Sequence, residues 1–508
     1  MEPESSTEAT DVRIAIIGAG FGGLGMAIRC KQEGIDDFVV LERGEDLGGT
    51  WRDNCYPGCA CDVPSHLYSF SFALNPNWSH IFARRQEIWE YLRDCSERFG
   101  IAPHIRYHHE VQAADWIDAA DHWRLQTSSG PLTARVMIAA GGPLSQPSVP
   151  TLPGLERFAG ESFHSAQWNH DYDLRGKRVA VIGTGASAIQ FVPRIQPKVA
   201  KLHLFQRTAP WVLNRPEHRI TSVEKLLLRN IPGLQRAIRH GIYWGGESAI
   251  FGLVHDQRLL KPVESLALRH LRNQVTDPEL QRRLTPNFRL GCKRVLGSSD
   301  YYPALTQPNA EVVTDPITRV RRQAIVTEDG VVRDVDAIIF GTGFHVTDNP
   351  MMQMVRGREG KSLAEVWQGS PQAYLGMTVP GFPNGFLLVG PNTGLGNNSI
   401  VFMIEAQVRY VIGALKAMER HGLSSLEVRP EANAAFQQEV QARMPGSVWT
   451  DGGCSSWYLD ANGRNSTLWP DFTWRYALRT RRFDLNHYRA RLDLSTRTPS
   501  EALALALA

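Results

Sequence analysis

One pattern is written twice in this chain. VRIAIIGAGFGG (residues 12–23) and KRVAVIGTGASA (residues 177–188) are each an apolar, β-branched run that stops at a glycine turn and continues into a helix-compatible stretch. A second pair repeats as well: RVMIAAGGP (135–143) matches DAIIFGTGF (336–344) in its apolar run and small-residue ending. Runs without polar alternation are strands buried on both faces, and parallel strands of that kind need helical crossovers between them. The repeat predicts an α/β chain built from two related Rossmann-like units.

The loops indicate what such units hold. In the first, Gly18, Gly20 and Gly23 give G-x-G-x-x-G between strand and helix. Glycine there makes the tight turn, lets a pyrophosphate approach the backbone and packs helix on strand, while the helix N-terminus offers amide N–H groups to the phosphates. The next strand, FVVLER, ends at Glu42, 24 residues after Gly18. A carboxylate there accepts hydrogen bonds from an unphosphorylated ribose. In the second loop Gly183, Gly185 and Ala188 take the matching places. KLHLFQRT then brings Arg207, 24 residues after Gly183, and Thr208 to the position of the acid. A guanidinium suits a bidentate grip on phosphate. The pair reads as FAD in the first unit and NADPH, with its 2′-phosphate, in the second.

Composition excludes several alternatives. Of 508 residues 43% are hydrophobic and 21% charged, and the net charge is +3. Nothing in that balance calls for nucleic acid as a partner. The acidic start MEPESSTEATD has no signal-peptide pattern. The most apolar stretch outside the strands, IYWGGESAIFGLV (242–254), is too short for a bilayer and carries Glu247. It reads as a buried helix or tunnel wall, so no stable membrane insertion is expected. Seven cysteines, an odd number, suit free thiols in a reducing, cytoplasmic setting. Cys55, Cys59 and Cys61 cluster, but their spacing fits neither a zinc site nor a redox pair, and no metal is expected.

Strand patterning lapses between Thr208 and Val312, where SVEKLLLRNI marks helix. FLLVGPNTGLGNNSIVFMIEAQVRYV (386–411) returns to strand, glycine turn and amphipathic helix. The expected order begins with a first FAD-binding part (1–145), then a linker and first NADPH-binding part (146–210). A mostly helical insertion (211–311) and a second NADPH-binding part (312–345) follow. Residues 346–508 would supply the second FAD-binding part and a C-terminal segment that contacts substrate and NADPH. The tail EALALALA supports no assignment.

Three motifs narrow the class. FAGESFHSAQW (158–168) is polar and belongs to no periodic helix or strand. It fits F-x-G-x-x-x-H-x-x-x-W through Phe158, Gly160, His164 and Trp168. GGTWRDNCYPGCACD (48–62) fits [AG]-G-x-W-x4-[FY]-P-[GM]-x3-D, ending at Asp62. GCKRVLGSSDYYPAL (291–305) looks like a segment bearing a catalytic arginine. Together with the two loops, these motifs resemble the Baeyer–Villiger monooxygenases, a class B flavin-dependent monooxygenase family, from about residue 12 to about residue 480. The family usually has Pro or Asp after the fingerprint tryptophan. Here Asn169 follows, and Asp171 comes two residues later.

The resemblance implies an enzyme that uses NADPH and O2 to turn a ketone into an ester or lactone, through reduced FAD and an anionic C4a-peroxyflavin. A fixed cation in a water-poor site keeps such a peroxide deprotonated, and arginine stays charged when buried. By resemblance Arg294 is the catalytic arginine, Asp62 its partner and Lys293 a ligand of the NADPH 2′-phosphate. Thr50, Trp51 and Tyr68 would lie at FAD, Ser187 at the NADPH loop, and Trp457 beside nicotinamide and substrate. His164 and Trp168, on the linker between the units, would couple nucleotide binding to domain arrangement. For His164 a purely structural role stays open, as does plain packing for Trp51, Tyr68 and Trp457. Met403, Trp449 and Trp457 lie in partly apolar segments that suit a hydrophobic ketone. Oligomeric state is left between monomer and homodimer. The alternatives are an N- or S-oxygenating flavin monooxygenase and, less favoured, a non-oxygenating NADPH flavoprotein reductase or sensor. The motif ending at Asp62 and the GCKR segment favour the Baeyer–Villiger reading.

Overall fold

Strands Val12–Ile17 and Arg178–Ile182 organise the architecture. Each is buried along its whole length except at one arginine, Arg13 or Arg178. Strands this apolar belong inside a sheet covered on both faces. The first pairs in parallel with Phe38–Leu41 on one side and Gly130–Ala139 on the other, with Ile14 between Phe38 and Val136. The second pairs in parallel with Lys201–Phe205 and Ala337–Phe340. Each central strand thus lies between the next strand along the chain and a later one that ends in small residues. The sequence repeat is the same in three dimensions.

The computed structural model describes residues 11–215 and 217–493, so the tail EALALALA lies outside it. The first sheet is mixed. Its spatial order is Val355–Arg356, Val111–Ile117, His122–Thr127, Gly130–Ala139, Val12–Ile17, Phe38–Leu41, Ile105–Arg106, and Gly385–Leu387 also pairs with Gly130–Ala139. The second is all parallel, in the order Ala310–Val313, Lys201–Phe205, Arg178–Ile182, Ala337–Phe340, Glu161–His164. Every strand of the second sheet lies, in sequence, inside the span of the first. Helices Phe21–Gln32 and Ile400–His421 pack against each other beside the first sheet.

The polar stretch 158–168, expected to hold no strand, contains one. Glu161–His164 pairs in parallel with Ala337–Phe340, His164 opposite Phe340. It is an edge strand with only Phe163 and His164 buried, so it shows neither an apolar run nor an alternation. The fingerprint therefore closes the second sheet.

Between Lys201–Phe205 and Ala310–Val313 lie helices Ser222–Asn230, Leu234–Ile250, Lys261–Gln274 and Pro278–Leu284. Thr221 starts the first with a capping box to Glu224, a feature worth about 1 kcal/mol. Asp277 caps the last through the N–H groups of Glu279 and Leu280. Residues 242–254 are helical, running through Ile250 into one wide turn, Phe251–His255. Tyr243, Glu247 and Ile250 face inward, while Trp244 and Phe251 face solvent. No described helix is long and apolar enough to cross a membrane.

The cysteines depart from the expectation of free thiols throughout. Cys292 and Cys454, 162 residues apart, form a disulfide, and the other five are unpaired. Packing of the segment 289–292 on the helical turn Val448–Asp451 brings them together, with Arg289 N–H donating to Gly452 O at 2.9 Å. No local spacing in the sequence carries that information.

Candidate active site

The two loops have matching backbones. Gly18 (φ +99°) and Gly183 (φ +105°) each turn the chain in the left-handed region. A Cβ on Gly18 would stand 3.0 Å from Ala140 O, and one on Gly183 2.4 Å from Gly341 O. These neighbours come from the second repeated pair of segments. Gly23 is constrained hardest, because its Cβ would lie 1.8 Å from Gly18 O. Gly20 precedes helix Phe21–Gln32 and has no side chain to cap it; Ser187 precedes Ala188–Ile195 and makes no capping hydrogen bond. The first helix thus keeps the N–H groups of Phe21, Gly22 and Gly23 for a phosphate, whereas in the second Ile189 and Gln190 already donate to Gly185 O and Ser187 O, which leaves that of Ala188.

Glu42 is 4% exposed at the end of Phe38–Leu41. It accepts from Ala19 N–H at 2.9 Å, Gly44 N–H at 2.8 Å and Arg52 Nη1 at 2.7 Å. Arg207 and Thr208 follow Lys201–Phe205, with Arg207 exposed. Lys293 Nζ donates to Thr208 Oγ1 at 2.7 Å. Burial first, and then the charge of Arg207, lowers the Lys293 ammonium below the ordinary lysine value. Two cations and a hydroxyl thus meet on the rim of the second loop.

Residues 48–62 lie between the two loops and touch both. Gly48 N–H donates to Ala19 O at 2.9 Å in the first loop. At the other end Gln190, on the helix after the second loop, exchanges hydrogen bonds with the Ala60 backbone at 3.2 and 3.0 Å and accepts from Tyr56 Oη at 3.0 Å. Thr50 opens the single turn Thr50–Asp53, which turns Trp51 inward to 7% exposure. Trp51 Nε1 donates to Tyr68 Oη at 3.2 Å, ring edge to ring face.

Asp62, at the end of this motif, receives both arms of Arg294: Nε to Oδ2 at 2.6 Å and Nη2 to Oδ1 at 2.8 Å. Arg294 Nη1 also donates to Leu395 O at 3.3 Å. A bidentate pair fixes the guanidinium plane as well as its position. Burial pushes the Asp62 carboxyl up, but Arg294 and, more weakly, Arg215 outweigh it and hold Asp62 below the ordinary carboxylate value. The charge of Asp62 in turn raises Arg294. Both groups are ionised at neutral pH. The neighbouring thiols are not, since burial pushes Cys59 up to about 12 and Cys61 higher still. Among the described residues no group of three His, Cys, Asp or Glu is placed to hold a metal.

The fingerprint lies behind the second loop. His164 is 2% exposed; its Nδ1 accepts from Ala166 N–H at 3.1 Å, and burial lowers the imidazole to about 4. The imidazole is therefore uncharged at neutral pH. Trp168 packs on Phe163 and on Phe191, and Phe191 meets Tyr56 of the 48–62 motif. A continuous aromatic path thus joins the fingerprint to that motif. Gly160 is required by close approach, since its Cβ would stand 2.3 Å from Asp336 O; Phe158 packs beneath on the core of the second sheet. Trp457 is 44% exposed, whereas Met403 and Trp449 are core residues at 0% and 1%.

Sequence reasoning missed the side chains that join distant segments here. Arg52 holds Glu42. Arg239, 8% exposed on helix Leu234–Ile250, donates to His66 O and Leu67 O, both at 3.0 Å. Glu247 accepts from Asn398 Nδ2 at 2.7 Å and from Thr473 N–H and Oγ1 at 2.8 Å, which ties the insertion to the turn holding Leu395. Only its acidity within an apolar stretch marked Glu247.

Known proteins share this arrangement. Residues 11–238 match the family described as Flavin-binding monooxygenase-like. A Baeyer-Villiger monooxygenase of Streptomyces coelicolor is 50% identical over 94% of this chain and 92% of its own. One from Pseudomonas aeruginosa is 49% identical over 98% of this chain and 94% of its own. Among solved structures, OTEMO in complex with FAD and NADP superposes with a TM-score of 0.86 at 26% identity, over 95% of this chain and all of that one. Cyclohexanone monooxygenase of Rhodococcus sp. Phi1 bound to NADP+ gives 0.84 at 28% identity, over 95% of this chain and 99% of that one. With such identity over nearly the whole length, the chain belongs to the Baeyer–Villiger monooxygenase family.

Proposed function

We propose that this enzyme oxidises hydrophobic ketones to esters or lactones with NADPH and O2, holding FAD in the unit of Gly18 and NADPH in the unit of Gly183. The balance is ketone, O2, NADPH and a proton to ester, NADP+ and water. The observation that carries the reading is the Arg294–Asp62 pair, held at the end of a motif that bonds to Ala19 in the first loop and to Gln190 on the helix after the second.

The residues present fit both groups. Neither loop helix has a side-chain cap, and the glycines leave no methyl between backbone and phosphate. Glu42 would hold the adenosine ribose of FAD, with Thr50, Trp51 and Tyr68 along the same cofactor. Arg207, Thr208 and Lys293 would grip the 2′-phosphate, Ser187 would sit by the pyrophosphate, and Trp457 would face the nicotinamide. Once reduced, the flavin supplies the electrons and the oxygen-activating chemistry. Arg294 provides the fixed positive charge that stabilises developing negative charge there, and Asp62 keeps that charge in place.

The same reading keeps the division into FAD-binding, NADPH-binding and insertion segments given under Sequence analysis. It makes the enzyme a cytoplasmic monomer or homodimer. A cyclic ketone is the first substrate to try, because a related cyclohexanone monooxygenase has been seen with ε-caprolactone bound. The holoenzyme would be given NADPH, 18O2 and cyclohexanone. Labelled lactone in step with NADPH consumption is expected. NADPH consumption that yields sulfoxide from an added sulfide, but lactone from no ketone tried, would instead favour heteroatom oxygenation.

A further inference from the structure

We propose that Cys292–Cys454 is a reversible thiol–disulfide site that latches the segment 452–457 onto the segment 291–294 and thereby controls how tightly the nicotinamide nucleotide is held. The nucleotide half of this statement rests on the function proposed above; the latch itself does not.

Both cysteines adjoin residues assigned to the site. Cys292 immediately precedes Lys293 and Arg294, and Cys454 stands three residues before Trp457 and four before Tyr458. Tyr458 is 1% exposed; burial pushes its hydroxyl up to about 12, and the charge of Arg294 acts on it in the opposite sense. The disulfide therefore joins the catalytic strip to a strip that ends against it.

Few other ties hold this strip. Among the described residues no backbone N–H from Gly452 to Trp457 donates a hydrogen bond. Gly452 O accepts from Arg289 N–H at 2.9 Å, and Trp457 O accepts from Thr467 Oγ1 at 3.4 Å. Gly452 and Gly453, the latter at φ +76°, precede Cys454 and form a natural hinge. A segment with so few backbone bonds opens at little cost unless something covalent restrains it.

The site is also reachable. Cys292 is wholly buried, and Cys454 is only partly buried. An external thiolate would attack Cys454 Sγ, the S–S bond would break, and Cys292 would leave as thiolate and take up a proton. The second thiol of a dithiol reductant then attacks the mixed disulfide, which frees Cys454 and leaves the reductant as its own disulfide. In the other direction the two thiols give two electrons and two protons to hydrogen peroxide, which becomes two waters. Hydrogen peroxide is what a reduced flavoprotein makes from O2 when no substrate intercepts it. Turnover without ketone would thus close the latch.

The test uses the holoenzyme, exposed either to hydrogen peroxide or to dithiothreitol that is then removed. Non-reducing digestion and mass spectrometry should find the Cys292–Cys454 cross-linked peptide after peroxide and lose it after dithiothreitol. Hydrogen exchange over 289–292, where Arg289 N–H donates to Gly452 O, should be roughly tenfold faster or more in the reduced form. Cys454→Ser should match the reduced form and ignore both reagents, and Cys292→Ala should do the same by a second route. The KM for NADPH should rise severalfold on reduction. Absence of the linked peptide after peroxide overturns the proposal, and so does a linked form whose exchange over 289–292 equals that of the reduced form. Faster exchange with an unmoved KM would uphold the latch and count against the nucleotide assignment of Lys293 and Trp457.

Discussion

The two nucleotide loops share a backbone and differ in what surrounds it. Gly18 N–H reaches Leu41 O and Gly183 N–H reaches Phe205 O; Ala140 N–H reaches Ile17 O just as Gly341 N–H reaches Ile182 O. Beyond that frame they diverge. Glu42 is buried and committed to three donors, whereas Arg207 stands exposed beside a lysine and a threonine. In the function proposed above, the first unit would meet its ligand at a buried carboxylate and the second at an exposed guanidinium. Such a difference suits one nucleotide that stays and one that is exchanged in every turnover.

Substitutions can break that comparison or sharpen it. The largest effect should come from Arg294→Ala, which spares both loops. Lactone formation should fall by about 10^3-fold, while anaerobic bleaching of the flavin by NADPH continues at a similar rate. Stopped-flow absorbance and product chromatography measure the two. Next, Gly23→Ala should cost about 3 kcal/mol and leave the purified protein poor in flavin, whereas Ala188→Gly at the matching place should cost about 1 kcal/mol and keep it. Thermal unfolding and flavin absorbance per chain decide this.

Arg207→Ala should raise the KM for NADPH about tenfold or more and leave that for NADH nearly unchanged. Equal effects on both would remove the 2′-phosphate assignment. The smallest effect concerns pH. Lys293 is held below the ordinary lysine value, so it loses its charge at a lower pH than a free lysine would. kcat/KM for NADPH should therefore decline as pH rises through that lowered value. Arg207→Ala should shift the decline to higher pH, because the like charge is gone.

What the sequence showed, and what it hid, divides by distance along the chain. Both loops, their central strands and the 24-residue offset to Glu42 and Arg207 are local features, and periodicity and glycine spacing carry them. The Asp62–Arg294 pair spans 232 residues and could be named only through motif resemblance. Glu247 on Asn398 and Cys292 with Cys454 had no such help, since packing alone brings them together. Strand Glu161–His164 was hidden for another reason. An edge strand is not obliged to be apolar, and it takes its pairing from Ala337–Phe340.

A ribosome delivers strand Val12–Ile17 before any other, but the first sheet cannot close in the order of synthesis. Its strand Gly130–Ala139 gains its partner Gly385–Leu387 only late in synthesis. All five strands of the second sheet, from Glu161 to Phe340, emerge before then. The inner unit can finish while Met137–Ala139 still exposes an unpaired flank, and such a flank invites wrong pairing in a nascent chain. Truncation anywhere between Phe340 and Gly385 should therefore yield a completed second unit attached to an aggregation-prone first one.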